Sequence, residues 1–246
     1  MNQYKNKLVR LSLPEFPHCD IYLCGTLHVA KASSAMIADV ITALQPHYVV
    51  VEVCESRIDS LFEEETPVMS LREVLQESVQ QRSVKVLGMG LLSWIQLKTA
   101  SLLGSRLGGE ISTAYRVACQ QGVYGVVLGD RAYAVTIQRA LDRLSLLEKV
   151  KVGAIMLYEA VTLSLGKLTD YINRSEADDG FVVEEMKTFR ALMPGFASVI
   201  IDERDEYIAQ TIIELGLLFV VVCCCCCCCC LFAVVFFIII CCFLCL

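Results

Sequence analysis

Charge is missing altogether from Leu215 to Leu246, a run that holds eight consecutive cysteines from Cys223 to Cys230. An uncharged stretch of this length exceeds the ~20 apolar residues a helix needs to cross a bilayer. The cysteine block is a low-complexity tract. Two readings follow. As a tail anchor the segment would hold the preceding residues in the cytosol. At ~1.5 Å per residue a helix of it would be ~48 Å long, against a hydrocarbon core of ~30 Å. Its flank carries Asp202, Glu203, Asp205, Glu206 and Glu214 with no lysine or arginine after it, whereas cytoplasmic flanks favour Lys and Arg. The other reading is an artefact of the gene model, through a frame error or an unspliced intron.

Other absences narrow the rest. There is no excess of basic charge: 21 Lys and Arg face 27 Asp and Glu, giving −6, which argues against a general nucleic-acid binder. No CxxC occurs outside the tail, so no zinc-finger pairing is expected. Only Cys19, Cys24, Cys54 and Cys119 lie in the body, and Cys24 and Cys54 read as small buried thiols. The start, MNQYKNKLVRLSLPEF, has no apolar core of a signal peptide, which predicts a body in reducing cytosol without disulfides.

What is present is alternation of apolar strands and amphipathic helices. Cys19–Gly25 is β-prone. A helix is expected from a cap at Ser33 or Ser34 to about Leu44, with Met36, Ile37, Val40, Ile41 and Leu44 on one face. His47–Val53 is an almost wholly apolar second strand, as a buried parallel sheet requires. Residues 19–53 thus read as a right-handed strand–helix–strand unit. Helices are expected over 70–81, 84–103, 110–121, 136–145, 146–165 and 184–192, with a third strand over Gly122–Leu128. Ser175–Gly180 reads as a polar loop, Pro194–Gly195 as a break, and 198–215 as one long helix. The 84–103 segment, interrupted by Trp94, Gln96 and Lys98, reads as a core helix.

Three polar clusters fall at or just past strand C-termini: Gly25–Thr26–Leu27–His28; Glu52 with Glu55 and Arg57; and Gly129–Asp130–Arg131. Ligands bind at the carboxyl ends of strands in open α/β sheets, which gives the clusters one address. His28 is a candidate metal ligand or general base, or a capping histidine. Glu52, in an apolar strand, is costly unless paired or metal-bound, with Arg57 and Arg131 as the candidate salt-bridge partners. Asp130 and Arg131 are site residues or a structural ion pair. The run Glu203–Arg204–Asp205 reads as a solvated helix face. His18 and His47, at strand starts, read as structural or exposed. One histidine among several carboxylates could bind a divalent metal, and no local motif such as HExxH is present.

Five ordered segments carry a family resemblance: GTLHVAKAS (25–33), QPHYVVVEVCESR (45–57), LGGE (107–110), LGDRAYAVTIQRA (128–140) and FASVIIDERDEYIA (196–209). They resemble the TraB/PrgY family, most closely its eukaryotic TraB domain-containing branch, over about residues 19–214. The family is distantly similar to Tiki-type metal-dependent proteases and to the erythromycin esterase-like fold. The resemblance implies an α/β domain with a mostly parallel central sheet flanked by many helices. It implies an N-terminal extension (1–18), a C-terminally truncated TraB-like domain (19–214) and the apolar Cys-rich tail (215–246). It implies a site of His28, Glu52, Asp130, Arg131 and Glu203. In a Tiki-like peptidase-like hydrolase, Mn, Co or Zn would be held by His28, Glu52 and Asp130. Glu52, Glu203 and Arg131 would then serve the chemistry. It also implies residence at the mitochondrial outer membrane facing the cytosol, with the cytoplasm as the alternative, and a protein or peptide partner.

Two departures stand out. His47 replaces the family's usual Asp, and the family's later glycine-rich motif with a second histidine is not reached. Val220–Val222 resembles the start of the strand preceding that motif, so the sheet is expected to lose a strand. The His47 change lies at the strand edge and leaves the site intact, whereas the missing second histidine favours a non-catalytic regulator or adaptor over a hydrolase.

Overall fold

The computed structural model describes residues 7–12, 17–25, 31–62, 70–82, 84–103, 108–177, 179–215 and 221–224. The chain is mixed α/β and mostly helical, and it divides into two compact units. The first comprises the described residues within 1–64, 107–133 and 203–224; the second comprises those within 65–106 and 134–202.

The first unit is built on strands β1 (Leu8–Ser12), β2 (Asp20–Cys24), β3 (Tyr48–Val51), β4 (Gly125–Leu128) and β5 (Val221–Cys224). Their order is β1-β2-β5-β3-β4. β1 pairs antiparallel with β2, and the pairings β2–β5, β5–β3 and β3–β4 are parallel. Alternation along the strands divides the core. Cys24, Val49 and Val51 pack with Met36, Ile37, Val40 and Ile41 of α1 (Lys31–Leu44) and with Ile111, Ala114 and Ala118 of α5 (Gly109–Gln121). Ile21 and Val50 point the other way, into a cluster with Ile208 and Ile212 of α11 (Glu203–Leu215). A sheet covered on both faces needs such wholly apolar strands. The short α2 (Glu55–Phe62) follows β3, and its Phe62 meets Tyr115 edge-on with centroids 5.3 Å apart.

Several boundaries depart from the sequence expectation. The segment read as an N-terminal extension contains β1, an edge strand whose mostly exposed side chains hide it from a search for apolar runs. α1 starts at Lys31, so Ser33 is buried within it instead of capping it; Lys31 and Ala32 are good helix formers and extend the first turn. β4 begins at Gly125, not Gly122, because Gly122 caps α5 in the left-handed conformation, φ 70°. Opposite that four-residue partner β3 ends at Val51, so Glu52 and Val53 follow the strand. β5 lies between β2 and β3, inside the stretch set apart as a tail, and fills the place where the sheet was expected to lose a strand. Residues 225–246, the rest of that tail, lie outside the described residues.

Gly129 closes β4 against β3. A Cβ there would stand 2.7 Å from Val50 Cγ1 and 3.4 Å from the Val51 carbonyl oxygen. Val50 is fully buried and β-branched, so it has little room to yield. Gly129→Ala is expected to cost ~1–3 kcal/mol of stability, as overpacking does; an unchanged urea midpoint would show that the contact relaxes freely.

The second unit holds α3 (Leu71–Gln81), α4 (Val84–Leu102), α7 (Leu146–Thr162), α8 (Leu165–Ala177), α9 (Asp179–Leu192), α10 (Pro194–Ala197) and nearly all of α6 (Tyr133–Arg143), around one core that includes Leu91, Ile95, Leu168, Tyr171, Phe189 and Ile200. Capping boxes begin two of them. Ser70 and Glu73 exchange backbone and side-chain hydrogen bonds at α3, and Ser145 and Glu148 do so at α7. Donation from these serines holds both glutamates below the usual carboxylate range. The polar interruptions of α4 have an internal use: Lys98 donates to the Ala160 carbonyl at 3.1 Å and lies 4.7 Å over the Trp94 ring.

The described residues of the expected 175–180 loop all lie in helices. α8 runs to Ala177 and α9 starts at Asp179, because local polarity there does not break helix propensity. The expected helix over 146–165 ends at Thr162, and α7 and α8 meet at 106°. Among the described residues no single helix is long and apolar enough to cross a membrane. The long helix expected over 198–215 divides into a π turn (Ser198–Asp202) and α11. Pro194 starts α10 from its N-terminal position, where its missing N–H costs nothing.

Candidate functional site

The site begins with strand register. Val51 of β3 pairs with Leu128 of β4, and beyond the strands the Gly129 N–H donates to the Val51 carbonyl at 2.8 Å. The next polar residues, Glu52 and Asp130, therefore emerge side by side at the carboxyl edge of two parallel strands. Glu52 lies two residues beyond Val50, whose side chain packs on the α11 face, so alternation turns it toward that helix.

α11 meets them with Arg204. The Arg204 Nε donates to Asp130 Oδ1 at 2.8 Å, and its Nη2 lies 3.5 Å from Glu52 Oε2. All three side chains are nearly enclosed: 9% exposed for Arg204, 4% for Glu52 and 12% for Asp130. Beside them Arg131 Nη1 lies 3.2 Å from Glu203 Oε2, in a pair that is half-buried. Three carboxylates and two guanidinium groups thus share one strand edge. Isolated buried charges would cost several kcal/mol each, and mutual pairing offsets most of that.

A second group adjoins the same loops. Arg57, in the first turn of α2, lies 5.5 Å over the ring of Tyr133, which opens α6. The Tyr133 hydroxyl is buried and has no hydrogen-bond partner among the described residues. Burial pushes this phenol up to about 12, and the nearby Arg57 charge pulls the other way. The folded value is above the unfolded one, so this stabilisation is complete below the unfolded phenol's ~10 and is lost as pH rises toward 12. The difference in ultraviolet titration between this chain and Tyr133→Phe is expected to show a midpoint near 12. A midpoint at the ordinary phenol value would mean that water reaches the ring.

Of the residues singled out from sequence, Glu52, Asp130, Arg131 and Glu203 come together. His28 lies in residues 26–30, outside the described residues. Glu52 pairs with Arg204, not with the expected Arg57 or Arg131, because α11 brings Arg204 to the face toward which Glu52 points. The expected solvated face over 203–205 is corrected likewise: Arg204 is buried and Asp205 exposed. A signal for this stood in the sequence, since Arg204, Ile208 and Ile212 recur at helical spacing and form one buried stripe. Tyr133, two residues beyond Arg131, was also missed. His18 is exposed, and His47 is half-buried with its ring 5.3 Å from that of Tyr124.

The donor set also bears on a metal. Among the described residues no group of three or more His, Cys, Asp or Glu is arranged to hold an ion. Glu52 and Asp130, which would be ligands, both face a guanidinium that cannot be deprotonated. The described residues therefore do not fit a divalent cation while Arg204 holds its place.

A profile of the TraB/PrgY/gumN family matches residues 14–222. The chain belongs to this family. Over 200 residues it is 30% identical to an uncharacterized protein of Methanocaldococcus jannaschii, covering 80% of this chain and 48% of the relative. It is 30% identical over 195 residues to the mouse TraB domain-containing protein, covering 76% and 50%, and 29% identical to the human protein at the same coverage. The chain spans about half the length of these curated relatives. The matched span takes in all five paired site residues and β5 as far as Val222.

Proposed function

We propose that this TraB-family chain acts as a non-catalytic regulator or adaptor at the mitochondrial outer membrane, facing the cytosol, and docks a protein or peptide partner. The observation that carries the reading is the engagement of Glu52 and Asp130 by Arg204. Carboxylates held by a buried guanidinium keep the strand ends and α11 in one arrangement, and both are withdrawn from metal chemistry. The location is supported by the resemblance to the eukaryotic TraB domain-containing branch. Because Val221–Cys224 is a strand, a membrane anchor would be confined to residues 225–246. As a helix those ~22 residues would span ~33 Å, matching a hydrocarbon core of ~30 Å.

The competing reading is a divalent-metal-dependent peptidase-like hydrolase. Its support is the convergence of Glu52, Asp130, Glu203 and Arg131 on one edge. Titration of the purified chain with Mn²⁺, Co²⁺ and Zn²⁺ by calorimetry, alongside a peptide-cleavage assay, separates the two. The regulator reading expects no stoichiometric binding beyond that of His28→Ala and no metal-dependent cleavage. Stoichiometric binding with cleavage that Glu52→Gln abolishes would replace it with the hydrolase. Location is tested separately: a tagged chain ending at Cys224 should leave the mitochondrial membrane fraction, and its retention there would refute the anchor.

A further inference from the structure

The helical second unit contains an apolar cavity of about 60 Å³ between α4, α6, α7 and α10. That is several times the ~10–15 Å³ a water molecule occupies on this measure. Leu91, Ile137, Leu144, Val152, Met156 and Phe196 form much of its wall. Two further wall positions are glycines, Gly88 and Gly153, and a Cβ built on either meets nothing within 4 Å. The space they leave is therefore open. An apolar-walled space accepts apolar guests.

One lining residue is charged: Lys149, in the turn of α7 that follows its capping box. Leu146, Leu147 and Val150 of α7 are apolar and open to solvent, 80%, 80% and 65% exposed, while the adjacent Glu148 carboxylate is engaged by Ser145 in the capping box. A polar small molecule would find almost no hydrogen-bonding group on this wall. An uncharged oil would make no use of the ammonium. The combination suits an amphiphile with one alkyl chain and one anionic end.

We infer that this cavity is a binding site for a single-chain alkyl carboxylate, with the chain between α4 and α7 and the carboxylate at Lys149. The site is independent of the charged residues at the strand ends. Its occupant would tie α7 to α4 and α10 and so regulate the helical unit.

The test uses the whole chain, with decanoate and decanol as probes below their aggregation concentrations and calorimetry as the readout. Decanoate is expected to bind at one site. Lys149→Met is expected to weaken decanoate by about 3–5-fold, in keeping with a solvent-accessible charge pair, and to leave decanol unchanged. Gly153→Leu is expected to abolish binding of both probes. That variant should fold, because glycine inside a helix is unfavourable by ~1 kcal/mol relative to better helix formers; Gly88→Leu supplies the same block from α4. Equal decanoate affinity in the folded glycine variants would overturn the site. Equal weakening of decanoate and decanol by Lys149→Met would overturn the assignment of the anionic end.

Discussion

Arg204→Met is expected to destabilise the chain by ~3–5 kcal/mol, the penalty for removing one partner of a buried charge cluster. The variant leaves Glu52 and Asp130, 4% and 12% exposed, beside each other without the cation that serves both. Methionine fills much of the volume of the arginine stem, so the loss isolates charge and hydrogen bonding from packing. Whole-domain stabilities are ~5–15 kcal/mol, so urea unfolding should show a large fall in midpoint. Arg204→Lys should recover only part of it, since a point charge cannot serve two carboxylates with the geometry of a fork. Arg190 supplies the control. Its pair with Asp202 is 44% and 52% exposed, and Arg190→Met should cost no more than ~1 kcal/mol. If the two methionine variants unfold alike, the strand-end network contributes little, and the regulator reading loses the observation that carries it.

The candidate site was partly legible in the sequence. Glu52, Asp130 and Arg131 follow apolar strands, and the rule that ligands meet strand C-termini places them together without any structure. Their partners were not legible in the same way. A guanidinium can pair with any carboxylate the fold brings near, so Arg57, Arg131 and Arg204 were all chemically acceptable for Glu52. What decides is the phase of α11. Charged neighbours on both sides of Arg204 suggest solvent, while Ile208 and Ile212 one and two turns on show that its own face is buried. Tyr133 was hidden for a related reason: nothing in its sequence neighbourhood reveals that Arg57 will lie over its ring.

The fold shows the same division. α1, α4 and α5 were recovered to within a few residues, α1 and α5 through an apolar stripe that must face a core and α4 through its apolar length. β1 and α2 were overlooked: one is an exposed edge strand, the other eight residues of mixed polarity. β5 is the instructive case. Val221–Cys224 is as apolar as the membrane-like run that follows it, and composition cannot distinguish a central strand from the start of a span. Only pairing with β2 on one side and β3 on the other assigns it to the sheet.

Ile41→Ala should be comparably damaging, at ~2–5 kcal/mol. Ile41 is fully buried on α1, in the core cluster that joins this helix to the sheet and to α5. The spread of costs for such truncations reflects how far neighbours collapse into the space left behind. Here α5 contributes Ala114 and Ala118, both fully buried, to that cluster. Alanine has no rotamer to swing, and the strands behind α1 are fixed by pairing on both sides of β3. The hole should therefore persist, placing the cost in the upper part of the range. Ile41→Val, which removes one methyl group, should cost only ~0.5–1.5 kcal/mol. Val79→Ala, at a position 75% exposed on α3, should stay within ~0.5 kcal/mol. A small loss for Ile41→Ala would mean that α1 shifts to close the gap. Such a shift would move α1 relative to β3, whose carboxyl end leads directly into Glu52. The rigidity that makes Ile41 expensive to truncate is thus what the strand-end residues need to keep a fixed geometry.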